Sequence, residues 1–352
     1  MDHARWMHRC LQLARNGAGM VAPNPMVGAV LVEGEDVLAE GWHRAHGGPH
    51  AEVECLRNFG DGDVPANAVM YVSLEPCAHT GLTPPCAELL IARGVHTVVV
   101  GCLDPDQRVA GKGVAKLREA GVDVTVDVLH EECRWQNRRF FSSIEKQRPY
   151  VILKWARSID GYLDQQPREG RSVQRISCFA TDVLVHRWRS EEAAILVGGR
   201  TVVNDDPRLN VRHVAGRSPL RVVLDRAGIT PAKSNVYDGT VPTLLFTGKL
   251  RSDIQVDQIV AGPGKGILPA LLQELHRRKV RSVLVEGGSE LLAHFIAAGL
   301  WDEVREIVGE VAFGSGTSAP KAPVLPQLTF TSGTDRIYFA AKEGIPEATW
   351  SW

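Results

Sequence analysis

The sequence has no long apolar run and no block of like charge. A membrane-spanning helix needs about 20 consecutive apolar residues, so the first absence excludes one. The second removes the electrostatic footprint of a nucleic-acid binder: 40 Lys and Arg are balanced by 41 Asp and Glu along the chain. Neither a nucleic acid nor a membrane is expected as a partner. Cysteine is scarce too. Seven of them, an odd number scattered from Cys10 to Cys178, do not form a disulfide framework, so the expected compartment is the reducing cytoplasm. Any work done by these thiols should be metal binding or catalysis. The amino terminus, "MDHARWMHRCLQLARNG", lacks the apolar core of a secretory signal. Its Ala4, Met7, Leu11 and Ala14, at helical spacing with charges between them, predict an amphipathic helix. There is no low-complexity tract and no repeat relating the two halves.

At 352 residues the chain exceeds one ordinary core, and about 100 to 200 residues per domain suggests two. Short apolar runs alternate with helical stretches. "VGAVLV", "AVMYVSL", "HTVVVG" and "VDVTVDV" predict strands, with helices near 50–58, 84–93 and 111–120 between them. This is the pattern of a three-layer α/β sandwich. The polar "SIEKQRPY" interrupts it, and the alternation restarts with "YVILKWA", "AAILVGG", "RVVLD", "TLLF" and "SVLVEGG". The domain boundary is placed at about residue 147, giving domains 1–147 and 148–352. The tail after residue 313 suggests one or two closing strands, and Asp205-Asp206-Pro207 reads as a turn with a helix-like start.

The chemistry-bearing residues of the first half come in a fixed order. "GPHAEVECL" sets His50 two residues before Glu52 at a helix start. The strand "AVMYVSL" then runs into "EPCAHTGLTPPCAELL", with Cys77 and Cys86 separated by eight residues. One imidazole and two thiols make three candidate zinc ligands, leaving a fourth position for water as catalytic zinc requires. Thiols beside prolines and a helix start gain from its positive end. Glu52, next to the metal but not ligating it, is suited to carry protons from water to a ring and to a leaving amine. His-x-Glu followed by Pro-Cys and a second Cys is the signature of zinc nucleobase deaminases. A lone buried cysteine or capping histidine is the commoner use of each residue; their joint order favours a site. A zinc-stapled binding module would want a fourth protein ligand. His79, His43 and His46 read as pocket or loop residues, and Asn24 sits where its amide can meet a heterocycle.

"PNPMVGAVLV", "GWHRAHGGPHAEV", "YVSLEPCAHTGLTPPC" and "DPDQRVAGKGV" together resemble the deaminase domain of the bifunctional riboflavin-biosynthesis deaminase/reductase family. The resemblance implies a cytidine-deaminase-like fold, zinc on His50, Cys77 and Cys86, Glu52 as proton shuttle, and Asn24, His43 and Ser73 around the pyrimidine. The long spacer between the cysteines separates it from cytidine and tRNA-adenosine deaminases.

The second half carries "PYVILKWARSIDGYL", "WRSEEAAILVGGRTVVNDDPRLNVR" and "SVLVEGGSELLAHFIAAGLWDEV". In the last, a strand enters Gly287-Gly288-Ser289 and a helix with Leu291, Leu292, Phe295 and Ile296 inward. Backbone N–H groups at such a helix start suit a pyrophosphate. Gly-x-Gly-x-x-Gly is missing, which argues against a Rossmann domain. These segments are similar to the family's reductase domain, which implies a dihydrofolate-reductase-like α/β fold and NADPH. Cofactor positions carry over to Ala156, Arg175, Thr201, Asp205, Gly288, Ser289, Glu290, Leu291 and Leu292, and substrate positions to Arg189, Leu209, Arg212 and Glu286. Lys154 falls beside the reacting sugar. The implied function is zinc-dependent deamination of 2,5-diamino-6-(5-phosphoribosylamino)pyrimidin-4(3H)-one, then NADPH-dependent reduction of its ribosyl to a ribityl chain. The alternative within enzymes is a deaminase with a decayed reductase half. The expected partners are small pyrimidine ribose-phosphates and a second copy of the chain, docked through the reductase domain. The chain departs from the family at three positions. Arg175 replaces a tryptophan and Arg226 a serine, both basic and both suited to a phosphate of NADPH. Leu82 replaces a basic residue, so either another residue such as Arg44, His46 or His79 meets the substrate phosphate or the phosphate is bound less tightly.

Overall fold

Strand "GAVLVE" fixes the layering of the first half, because successive side chains point to opposite faces and nearly all are buried. In the computed structural model, which describes residues 2–78, 85–107, 109–168, 170–171, 173–261 and 266–346, two units separate. One is built on residues up to Gln147, the other on Arg148–Ile345.

The first unit runs α1 (His3–Ala14), β1 (Gly28–Glu33), β2 (Asp36–Trp42), α2 (Ala51–Phe59), β3 (Ala68–Val72), α3 (Cys86–Ala92), β4 (Thr97–Val100), α4 (Lys112–Glu119), β5 (Asp123–Thr125), α5 (His130–Gln136) and α6 (Arg138–Glu145). The sheet order is β2-β1-β3-β4-β5. β1 pairs antiparallel with both neighbours, while β3, β4 and β5 are parallel. Ala29 and Leu31 pack with Leu56, Leu90 and Leu117 from α2, α3 and α4. Val30 and Val32 face the other way, onto Trp6, Met7 and Leu11 of α1 and Phe141 of α6. Helices therefore cover both faces, the three-layer sandwich expected, and each buried Leu or Val contributes about 1.5–3 kcal/mol. β2 was not among the expected strands. It is a half-exposed edge, and its apolar alternation is correspondingly weak.

The second unit runs β6 (Tyr150–Arg157), β7 (Tyr162–Gln165), α7 (Phe179–Glu191), β8 (Ala194–Gly198), α8 (Gly199–Asp205), β9 (Leu220–Asp225), β10 (Thr243–Thr247), β11 (Asp257–Val260), α9 (Ile267–Arg277), β12 (Ser282–Val285), α10 (Ser289–Ala297), β13 (Glu303–Val308), β14 (Gly316–Ser318), β15 (Leu328–Ser332) and β16 (Asp335–Ala341). Nine strands form one sheet in the order β11-β10-β9-β8-β12-β6-β13-β16-β15, and β14 pairs with β7. From β11 to β13 the strands are parallel; β16 and β15 close the edge antiparallel. The tail thus supplies three strands, not one or two. Asp205 ends a helix instead of starting one, and Asp206 follows it at φ 45°. α9 and α10 cover one face through Leu271, Leu275, Leu292 and Phe295. Ile195, Val197, Val223 and Leu245 pack on the other with Val202 and Val236. In a parallel sheet the strands deliver their carboxyl ends to one edge, where ligands bind.

Candidate active sites

In the first unit the close approach of α2 to β2 depends on Gly41. A Cβ there would stand 2.3 Å from Cys55 N and 2.6 Å from Ala51 O. His50 caps α2 in an extended conformation, so its ring leaves the helix axis. Its Nδ1 lies 3.6 Å from Cys77 Sγ and 3.3 Å from Cys86 Sγ. A tetrahedral zinc with bonds of about 2.3 Å to sulfur and 2.0–2.1 Å to nitrogen has S···N edges of roughly 3.5 Å, so the spacing fits. The three donor atoms lie within 4.8 Å of one another, and among the described residues no fourth His, Cys, Asp or Glu joins them. Cys86 opens α3, and its N–H donates to Cys77 Sγ at 3.3 Å. The Cys86 hydrogen bond and His50 hold the Cys77 thiol down at about 4, while the Cys86 thiol is pushed up by Cys77 and by burial. The pair thus presents a thiolate before any ion arrives.

Glu52, the second residue of α2, is 3% exposed. Burial pushes its carboxyl up to about 7, with the sulfur of Cys77 adding to the effect. A carboxyl poised at neutrality beside a metal site can both take and give a proton. His43 is held by two contacts: its Nδ1 donates to Pro49 O at 2.8 Å, leaving Nε2 to accept from Asn24 Nδ2 at 3.1 Å. Burial lowers its pKa, so the ring stays neutral. Ser73 is buried at the end of β3, and its Oγ accepts from Gly28 N at 3.2 Å. Two supporting residues escaped the sequence reading. Asn137 clamps the segment bearing Asn24 through both Met26 N and Met26 O, each at 2.8 Å. The Glu75 carboxylate accepts from four backbone N–H groups, those of Asp104, Gly111, Gly113 and Val114. It ties the segment 104–114 to the strand end that precedes Cys77. A carboxylate three residues beyond the fully buried strand β3 was the one available signal. His79 and Leu82 lie outside the described residues.

In the second unit a cavity of 1260 Å³ opens at the carboxyl ends of β6, β8, β9 and β12. Lys154, Ala156, Thr201, Asp205, Glu286 and the run Gly288–Leu292 all line it. Gly288 has φ 59°, and a Cβ there would stand 3.2 Å from Thr201 Oγ1. The turn is therefore bare backbone at the start of α10, a cradle that a dinucleotide's phosphates fit. Glu286 is the charged centre. Arg189 Nε and Nη2 donate to its two oxygens at 2.8 and 2.7 Å, and Lys154 Nζ lies 3.6 Å away. Burial pushes the Glu286 carboxyl up, but Arg189 and Lys154 prevail and hold it at about 2. Arg189 also reaches Asn210 O at 3.4 Å, and Arg212 N donates to His186 Nδ1 at 3.1 Å. Leu209, buried at φ 48°, precedes them; of the three expected substrate residues Arg189, Leu209 and Arg212, Arg189 is the one that contacts Glu286. Asp205 is paired with Arg168 at 2.7 Å. Arg175, next to the cavity-lining Val173 and Gln174, pairs with Asp182 of α7 at 2.7 Å. Arg226 lines the cavity.

Residues 1–102 match the family described as the cytidine and deoxycytidylate deaminase zinc-binding region, and residues 149–334 match the RibD C-terminal domain. The chain is 37% identical over 328 residues to the riboflavin biosynthesis protein RibD of Synechocystis, covering 89% of this chain and 86% of that one. The chain belongs to the RibD family. The RibD of Aquifex aeolicus is likewise 37% identical, over 89% of this chain and 88% of its own. The solved RibD of Acinetobacter baumannii superposes with a TM-score of 0.87 at 33% identity, covering 96% of this chain and 98% of that one. A Thermotoga maritima structure, described as a diaminohydroxyphosphoribosylaminopyrimidine deaminase/5-amino-6-(5-phosphoribosylamino)uracil reductase, gives 0.85 at 33%, covering 96% and 97%. As a RibD the chain is a bifunctional enzyme of riboflavin biosynthesis, a zinc deaminase joined to an NADPH-dependent reductase, and it acts on small molecules. No described helix is long and apolar enough to cross a membrane.

Proposed function

We propose that residues 1–147 hydrolyse 2,5-diamino-6-(5-phosphoribosylamino)pyrimidin-4(3H)-one with loss of ammonia, and that residues 148–352 reduce the ribosyl group of the product to ribityl. The observation that carries this reading is the three-donor cluster of His50, Cys77 and Cys86 beside the buried Glu52. Zinc on those ligands supplies the Lewis acidity that makes water nucleophilic near neutral pH. Glu52 takes a proton from that water and passes it to the ring nitrogen as the C–O bond forms. It then carries the second proton to the amino group as the C–N bond breaks and ammonia leaves. Asn24, His43 and Ser73 hold the pyrimidine; the neutral His43 keeps a hydrogen bond to Asn24 without adding charge beside the metal.

In the reductase half NADPH supplies the hydride. Opening the ribose breaks the bond from C1′ to the ring oxygen and leaves a cationic C=N; Lys154 gives its proton to the oxygen, and the Glu286 carboxylate faces the cation. Arg189, Leu209 and Arg212 shape the sugar-phosphate side, while Ala156, Thr201, Asp205, Gly288, Ser289, Glu290, Leu291 and Leu292 hold the cofactor. Arg175, paired with Asp182 at the surface, belongs to the same set as a basic group suited to a cofactor phosphate. The reading includes a cytoplasmic location, supported by seven free cysteines, and a homodimer through the reductase domain. Glu52→Gln is the test. It should retain one zinc per chain by elemental analysis while ammonia release falls about a hundredfold or more. Loss of the metal would make Glu52 a ligand, and full activity would remove it from the reaction.

A further inference from the structure

Helix α7 carries Asp182, His186 and Arg189 at positions i, i+4 and i+7, a single stripe along its length. Arg189 grips Glu286 through two nitrogens. His186 lies one turn earlier and is 2% exposed. Burial lowers its pKa to about 4, with Arg189, Arg212 and His213 adding to the effect against the opposing charge of Glu286. The ring is therefore neutral at pH 7 and carries a single proton. Its Nδ1 accepts from Arg212 N at 3.1 Å, so that proton belongs to Nε2. Beside guanidinium groups that can only donate, His186 supplies an acceptor.

What it holds is a stretch without a ladder of its own. Residues 206–219, between α8 and β9, form neither helix nor strand. The stretch is tied to α7 where Arg189 Nη1 donates to Asn210 O at 3.4 Å, where Arg212 N donates to His186, and where the His213 ring meets that of His186 edge-on with centroids 4.5 Å apart. Phe179, at the start of α7, adds an edge-on contact to His213 at 5.3 Å. Arg212 is exposed, and its Nη1 reaches back to Asn210 Oδ1 at 3.2 Å, inside the same stretch. The direction of this guanidinium is thus set by backbone that His186 anchors. We propose that His186 is a positioning residue of the reductase: its Nδ1 fixes the backbone of Arg212 so that the guanidinium meets the anionic pyrimidine ribose-phosphate, while Arg189 on the same helix orients Glu286. The proposal rests on Arg212 being a substrate contact.

Steady-state reduction by the full-length chain, with the deaminated pyrimidine ribose-phosphate varied at saturating NADPH, tests it. Asparagine places Oδ1 where Nδ1 stands; leucine puts a methyl group there. His186→Leu should raise KM about tenfold and leave kcat within about threefold of wild type. His186→Ala, which adds no bulk at the site, should do the same if His186→Leu does not fold. His186→Asn should keep KM within about threefold of wild type, and the Kd for NADPH and the rate of ammonia release should be unchanged in every variant. Equal KM values in His186→Leu and His186→Asn would mean that the ring only fills space, which overturns the proposal; so does a fall in kcat at unchanged KM. Arg212→Ala separates the two claims. It should raise KM by itself, and His186→Leu on top of it should add little, since both act through one guanidinium. If Arg212→Ala leaves KM at the wild-type value, the substrate reading of Arg212 fails and the positioning role falls with it. If it raises KM and the two effects multiply, His186 acts elsewhere and the positioning role alone is lost.

Discussion

Glu75 is the residue whose replacement should tell most about how the deaminase half is held together. Its Oε1 accepts from Gly113 N at 2.8 Å and Val114 N at 3.2 Å, and its Oε2 from Gly111 N at 3.0 Å and Asp104 N at 3.2 Å. Glutamine has nearly the same shape, but one oxygen becomes an NH₂ that cannot accept. Two charge-assisted bonds are lost, each worth about 1.5–3 kcal/mol, and two buried donors are left facing a donor. The segment 104–114 can recover part of this by reaching water, so a net loss of about 3–4 kcal/mol is expected. For a unit of this size that lowers its unfolding midpoint by about 10 °C. Calorimetry of the full chain should show the deaminase transition of Glu75→Gln shifted by that amount, with the reductase transition and NADPH binding in place. Ammonia release should fall several-fold, because the strand end carrying Cys77 loses its anchor. A deaminase midpoint within about 2 °C of wild type would refute the hub.

Lys154→Ala should abolish NADPH oxidation while ammonia release is unchanged; loss of both activities would contradict two independent sites. Acid should act on the reductase half through Glu286. Its carboxyl sits at about 2 in the folded chain against an ordinary 4.5. The stabilisation is therefore complete above pH 4.5 and is lost as pH falls towards 2, about 3 kcal/mol in all. Glu286→Gln should start less stable at pH 7, with Arg189 and Lys154 uncompensated, and vary less across that window in a denaturation series. A parallel pH dependence in wild type and variant would show that Glu286 is not the group responsible.

What could be read from the sequence is what short spacing encodes. His50 and Glu52 share one helix start, Cys86 opens the next helix, and three donors, one imidazole and two thiols, in order imply one ion. The strands buried on both faces are equally plain, since "GAVLVE" and "AVMYV" have nowhere to go but a covered sheet. Long-range polar partnership leaves no such trace. Asn137 holds Met26 across 111 positions, and Glu75 gathers donors 29 to 39 residues downstream. The Arg175–Asp182 pair was illegible for a related reason: Asp182 sits a few residues on, but only the start of α7 at Phe179 turns the two together. Leu82 lies outside the described residues, so the expectation attached to it stands on the sequence alone.

The central claim is that one chain performs two reactions in order at two sites. The most direct measurement follows ammonia and NADPH together after the full-length, zinc-loaded enzyme meets the diaminopyrimidinone ribose phosphate. Ammonia should appear first, NADPH oxidation should begin after a lag, and the two totals should become equal. NADPH oxidised ahead of ammonia, or ammonia released with NADPH left untouched, would contradict it.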